Sequence, residues 1–166
     1  VNRRMKIFIT GVAGFLGSHL ADLMISEGHS VAGNDNMIGG YTDNVPQNVE
    51  FYQIDCCDLE NMTKAMEGCD VVYHTAATAY EGLSVFSPVL VTRNIFEASV
   101  ATITAAIRNK VKRIVYCSSM ARYGHHDNVP YKEDYECRPQ DPYGIAKKAG
   151  EDVLINLCET HGVEYV

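Results

Sequence analysis

The chain has no tryptophan, only five prolines, and no basic excess: 14 Lys and Arg against 21 Asp and Glu leave a formal charge of -7. That sign disfavours a duplex-DNA or anionic-membrane surface, because both need a basic patch. No apolar run approaches the roughly 18–20 residues of a membrane span. The opening residues lead straight into a strand-like run, without the apolar stretch and small-residue cleavage site of a signal peptide. No C-x-x-C pair occurs among the six cysteines, and adjacent Cys56 and Cys57 cannot easily close on each other. Cys56, Cys57, Cys69, Cys117, Cys137 and Cys158 sit mostly in apolar surroundings, so they read as reduced thiols and point to the cytoplasm. His125-His126 lacks a third ligand at useful spacing, so no metal site is expected. What is present is ordinary for one soluble domain: 166 residues, 46% hydrophobic and 21% charged.

Short apolar runs alternate with helical stretches. Lys6–Thr10, Ser30–Asn34 and residues 49–54, 71–75, 113–118 and 163–166 read as strands. A first helix over 15–27 carries Leu16, Leu20, Leu23 and Met24 on one face. A short one is marked by Met62, Ala65 and Met66, with Asn61 as its cap. Pro88 opens a long helix reaching residue 110; Pro142 opens another that Gly162 stops after His161. This alternation predicts an α/β fold, a doubly wound parallel sheet covered on both faces. Its ligand crevice belongs at the carboxyl ends of strands one and four, where strand order reverses.

Thr10-Gly11-Val12-Ala13-Gly14-Phe15-Leu16-Gly17 joins strand one to the first helix. Gly11 permits a tight turn, Gly14 lets backbone approach a pyrophosphate, and Gly17 allows helix and strand to pack closely. Free N–H groups and the positive helix end complete an anion site. Strand two runs into Asp35, whose carboxylate can accept from both ribose hydroxyls and would repel a 2′-phosphate. NAD is therefore favoured over NADP.

Tyr143 and Lys147 lie one turn apart on a predicted helix and share a face. A free tyrosine titrates near 10, too high for a base at neutrality, but an adjacent ammonium and a positive nicotinamide ring both favour phenolate. Ser119 follows strand five at the same carboxyl edge and can donate to an oxygen whose charge changes. Y-x-x-x-K by itself is common on helix surfaces; the Ser-Ser pair after a strand and the upstream glycine loop give it meaning.

These pieces together resemble the extended short-chain dehydrogenase/reductase family, in its NAD-dependent nucleotide-sugar epimerase/dehydratase branch. The matching segments are TGVAGFLG at 10–17, Asp35-Asn36, Asp55 with Asp58-Leu59, VVYHTAA at 71–77, SSMARYG at 118–124 and PYGIAKKAGE at 142–151. The resemblance implies a Rossmann fold in which Tyr143 is the catalytic base and acid. It implies that Lys147 tunes it and holds the nicotinamide ribose, and that Ser119 polarises the sugar oxygen. Gly11, Gly14, Phe15, Leu16 and Gly17 would contact the pyrophosphate, Asp35 and Asn36 the adenosine ribose, and Asp58 and Leu59 the adenine. Thr75, Ala76 and Ala77 would line the cofactor wall, and Asn94 matches the family's asparagine in the long helix. After it, Ile95-Phe96-Glu97-Ala98 replaces the usual small Gly-Thr step, a departure that bears on close helix packing there.

Dehydratases of this resemblance carry an acidic pair just after the strand-five serine; here Met120-Ala121 stand there, followed by Arg122. The expectation is therefore NAD-dependent 4-epimerisation of a nucleotide-sugar, a UDP-hexose, through a transient 4-keto intermediate. The alternatives are another dehydratase, decarboxylase or reductase of the family, or a non-catalytic NAD-sensing protein, against which the retained Ser119, Tyr143 and Lys147 argue. The resemblance further implies a homodimer built on the helices over 88–110 and 142–161. Residues 1–166 are expected to be an NAD-binding domain incomplete at its C-terminus, with the substrate domain absent and the fragment alone inactive.

Overall fold

A computed structural model describes residues 4–127 and 129–166. Six parallel strands form one sheet: β1 (Lys6–Thr10), β2 (Ser30–Asn34), β3 (Val49–Tyr52), β4 (Val71–His74), β5 (Arg113–Tyr116) and β6 (Glu164–Tyr165). Their order across the sheet is β3-β2-β1-β4-β5-β6, so the chain winds outward from β1 in one direction and from β4 in the other. Alternation along the strands divides the core. Phe8, Ala32, Val72 and Ile114 face one side; Ile7, Ile9 and Val31 face the other.

Right-handed crossovers put the helices where those faces need cover. α1 (Phe15–Ser26) packs on the Ile7–Ile9 side. α2 (Leu59–Ala65), α4 (Ala98–Arg108) and α5 (Pro142–His161) supply Met62, Ile103 and Leu154 to the Phe8 side. On α1 the expected inward leucines do not all face in. Leu16 and Leu23 are about half exposed, while Gly17, Ser18 and Ala21 are the buried positions. The reason is proximity: a Cβ on Gly17 would come 2.2 Å from the Gly11 carbonyl oxygen, so the helix lies too close for large residues on that stripe.

The short helix is capped differently from expectation. Asp58, not Asn61, is the N-cap, and its carboxylate accepts from the Asn61 backbone N–H at 3.2 Å. The long helix changes its winding but not its hand: α3 (Pro88–Thr92) passes through a π-helical turn (Arg93–Glu97) into α4. Near that turn the Ser99 hydroxyl donates to the Ile95 carbonyl at 2.5 Å. The departure after Asn94 thus coincides with the altered turn. Strands three, four and five end sooner than their apolar runs suggest; just past β4, Thr75 Oγ1 donates to the Thr10 carbonyl at 2.5 Å. No helix among the described residues is long and apolar enough to cross a membrane.

Candidate functional site

Where β1 and β4 part, their carboxyl ends open a cleft of about 450 Å³. Its floor is the loop between β1 and α1. Gly11 has φ +70° and would, with a Cβ, meet the Ala76 Cα at 2.9 Å, so only glycine lets the two loops approach this closely. Gly14 caps α1 without a side-chain hydrogen bond, leaving the first helical N–H groups without a cap from the chain. This arrangement suits an anion such as a phosphate, since the amides and the helix dipole both favour negative charge. Exposed Phe15 and Leu16 border it.

One wall is made by Asp35, buried just beyond β2. Its Oδ2 accepts from Ala13 N at 3.1 Å and its Oδ1 from Met37 N at 2.8 Å. Each oxygen retains a further lone pair for a ribose hydroxyl. Beside it Asn36 Nδ2 donates to Asp55 at 3.3 Å, and Arg93 reaches the same carboxylate at 3.1 Å. Burial raises the Asp55 carboxyl, but the backbone N–H of Cys57 and then the Arg93 and Asn36 bonds outweigh it and hold the group below its ordinary range. Asn94, from the π-helical turn, donates to Thr78 at 2.9 Å and closes the side between the β4 loop and the long helix.

The other end is built by α5. Asp141 caps it, accepting from Gly144 N at 2.8 Å, and Pro142 sits in its first turn. Tyr143 and Lys147 are therefore delivered by a well-terminated helix to the same cleft as the glycine loop. Lys147 is 3% exposed; its Nζ donates to the Cys117 carbonyl at 2.7 Å and stands 5.3 Å from the centre of the Tyr116 ring. Burial pulls this ammonium down to about 8, partly opposed by Cys117 and Glu151. Ser119 lies in the turn after β5, where its Oγ accepts from Ala121 N at 3.2 Å. A Cβ on Gly144 would meet the Ala121 carbonyl oxygen at 2.6 Å, so that turn rests directly on the helix next to Tyr143.

Beneath the cleft a buried chain of polar groups joins its walls. Ala76 N donates to Thr10 Oγ1 at 3.1 Å, and Thr10 Oγ1 stands 2.8 Å from His74 Nδ1. His74 Nε2 stands 3.0 Å from Ser99 Oγ, whose own proton goes to Ile95 O. The directions therefore assign the proton to Nε2 and leave Nδ1 to accept from Thr10. Burial, and secondarily Lys147, push His74 down to about 3. It is a neutral spacer.

A glycine loop, a ribose-facing aspartate and a Tyr-Lys pair in one cleft are what a dinucleotide-dependent sugar enzyme would need. A model of the NAD dependent epimerase/dehydratase family matches residues 7–166. The chain belongs to that family. It is 32% identical over 164 residues to a protein described as probable UDP-arabinose 4-epimerase 3 of Arabidopsis thaliana, covering 92% of this chain and 40% of the relative. It is likewise 32% identical over 161 residues to a UDP-glucose 4-epimerase of Streptomyces lividans, covering 95% of this chain and 49% of that one. The crystal structure of UDP-glucose 4-epimerase from Brucella ovis in complex with NAD superposes with a TM-score of 0.93 at 29% identity, over 97% of this chain and 50% of its own. The chain thus spans about half the length of the relatives it matches, or somewhat less.

Within this epimerase/dehydratase chain, the cleft gathers Gly11, Gly14, Phe15, Leu16, Gly17, Asp35, Asn36, Thr75, Ala76, Ala77, Asn94, Tyr143 and Lys147. Ser119 stands outside that lining, although its neighbour Ser118 is in it. Asp58 and Leu59 also fall outside: Asp58 is engaged in capping α2, and Asp55 and Cys56 line the cleft instead. The sequence held a signal for that pair. Asp55 directly follows the run read as strand three, at the carboxyl edge where ligands sit. Asn34 and the 38–40 loop also line the cleft and were not anticipated as site residues.

Proposed function

We propose that this chain furnishes the NAD-binding part of a nucleotide-sugar 4-epimerase acting on a UDP-hexose or its pentose counterpart. The observation that carries the reading is that Tyr143 and Lys147 share one cleft with the Gly11–Gly17 loop and Asp35. The residues present fit NAD: uncapped amides at α1 for the pyrophosphate, Asp35 for the adenosine ribose, Asp55 and Cys56 beside the adenine, and Lys147 for the nicotinamide ribose. When bound, NAD supplies the hydride acceptor and donor for the sugar carbon.

The chain's own groups then manage the proton and the geometry. Tyr143 takes the proton of the sugar 4-hydroxyl as the 4-keto form develops and returns it afterwards. Lys147, an ammonium fixed by the Cys117 carbonyl, favours the phenolate form that accepts it. With its Oγ lone pair engaged by Ala121 N–H, Ser119 keeps its own proton for the sugar oxygen. The positions after Ser119 are Met120 and Ala121, without a carboxylate to remove a second proton, which favours epimerisation over dehydration. Exposed Phe86, Val89 and Leu90, with Ile145 on α5, support pairing of two copies through these helices.

The test is Tyr143→Phe in the protein expressed from its complete reading frame. Turnover should fall by about a thousandfold or more while NAD affinity stays near that of the parent, since general acid–base catalysis contributes on that order. Turnover within a few-fold of the parent would refute the role of Tyr143. A protein that never turns over sugar nucleotides yet keeps its NAD-dependent biological effect would be a sensor.

A further inference from the structure

Helix α5 presents three polar side chains at successive turns toward the end of β5: Tyr143, Lys147 and Glu151. The proposed chemistry uses the first two and leaves the third without a role. Glu151 is mostly buried, its side chain 14% exposed, and its Oε1 serves two partners. Ser118 Oγ donates to that oxygen through a short hydrogen bond, and Arg122 Nε stands 3.1 Å from it. Ser118 and Arg122 flank Ser119 within one turn, so one carboxylate holds the serine's near side by a hydrogen bond from Ser118 and its far side by charge alone, since Arg122 Nε is not aligned to hydrogen-bond it.

We propose that Glu151 is a positioning residue that fixes Ser119 relative to Tyr143 and places a negative charge one helical turn from Lys147. The proposal rests on the epimerase reading for its catalytic consequence. The turn around Ser119 is weakly held from within: Ser119 O accepts from Arg122 N at 3.3 Å, and Ser119 Oγ from Ala121 N at 3.2 Å. Beside the Cys117 N–H that donates to the His74 carbonyl of β4 at 3.1 Å, α5 supplies several external anchors. Ala121 rests on Gly144, Cys117 O receives Lys147 Nζ at 2.7 Å, and Ser118 and Arg122 meet Glu151. The stripe at 143, 147 and 151 thus registers the helix against the segment after β5 residue by residue.

The groups around Lys147 are Tyr143 and Glu151 on its own helix, Tyr116 on β5 and Cys117 just beyond it, and His74 on β4. His74 is held neutral by burial, and the Cys117 thiol is pushed upward by burial, so neither offers a negative charge near neutrality. Glu151 is the carboxylate of this set. Arg122, set 4.9 Å from the Tyr123 ring centre, is the cation paired with this carboxylate.

Glu151→Gln keeps the shape and the acceptor for Ser118 but removes the charge from Arg122 and Lys147. In the protein expressed from its complete reading frame, kcat on UDP-hexose should fall by about tenfold or more with KM within roughly threefold, as expected when a transition-state contact is misplaced. NAD affinity measured against pH should show its alkaline limb displaced to lower pH, because an ammonium without its anion gives up its proton sooner. Glu151→Asp should restore part of that displacement. An unmoved limb overturns the proposal, whether kcat holds or falls with a lowered melting temperature, since the latter marks a merely structural role. The limb is read by NAD binding alone. A parent protein that fails to turn over UDP-hexose therefore refutes the epimerase reading, while the limb still decides the role of Glu151.

Discussion

Replacing Lys147 by Met should make the NAD-free protein more stable at neutral pH while ending its proposed activity. Burial holds this lysine at about 8 against an ordinary 10.5. A difference of about 2.5 units, at about 1.4 kcal/mol per unit, means the folded state disfavours the ammonium by roughly 3 kcal/mol. The pH dependence follows from the sign. A lysine whose folded value is depressed imposes its full cost below about 8, where both states are charged. From there up to about 10.5 the unfolded chain holds the extra proton, so stability rises with pH until the cost has vanished. Methionine removes the charge and keeps most of the apolar stem, but it leaves the Cys117 carbonyl without the 2.7 Å bond, at about 1 kcal/mol. The net gain at pH 7 is about 2 kcal/mol, or on the order of 5 °C in Tm for a chain of this size. Urea unfolding of both proteins at pH 7 and pH 10 measures it. The variant should lead at pH 7 and lose that lead at pH 10. A variant equal or weaker at pH 7, or a gap that does not change with pH, refutes the reasoning.

Asp35→Ala should weaken NAD binding by about tenfold and narrow the preference over NADP, because the carboxylate meets the ribose hydroxyls and repels a 2′-phosphate; calorimetric titration of parent and variant with both dinucleotides reads it, and equal affinity of the parent for the two would defeat the assignment. His74→Gln should flatten the acid side of the stability curve. With His74 at about 3 in the folded protein, the unfolded chain binds the proton first, so stability is lost as pH falls from about 6.5 toward 3. The same slope in parent and variant between those limits would show that His74 contributes nothing to acid unfolding.

The phosphate loop and the Tyr143–Lys147 pair were legible because their signals are local: glycines between a strand and a helix, and two side chains one turn apart. Asp35 was legible for a related reason, standing where an apolar strand ends. The choice between Asp55 and Asp58 was not local in the same sense. Both follow strand three; Asp55 lines the cleft, and Asp58 caps α2 by accepting the Asn61 N–H. The inward face of α1 was misread for a packing reason. Leucines mark an apolar face, but contact with the Gly11 carbonyl at Gly17 admits only small residues, so Leu16 and Leu23 are left half exposed. Nor did periodicity reveal the π-helical turn, which coincides with one hydroxyl, that of Ser99, reaching back to Ile95 O. The buried Thr10–His74–Ser99 chain was equally hidden, since its members come from β1, β4 and α4 and meet only in the fold.

The central claim is that this cleft returns to the sugar what it removes, so the most direct measurement follows UDP-hexose and cofactor together in the protein expressed from its complete reading frame. With NAD in catalytic amount, UDP-glucose and UDP-galactose should interconvert to the same equilibrium from either side, and absorbance at the wavelength of reduced nicotinamide should not grow with turnover. Steady accumulation of NADH in proportion to product, or a 4-keto-6-deoxy sugar in place of the epimer, would contradict the account.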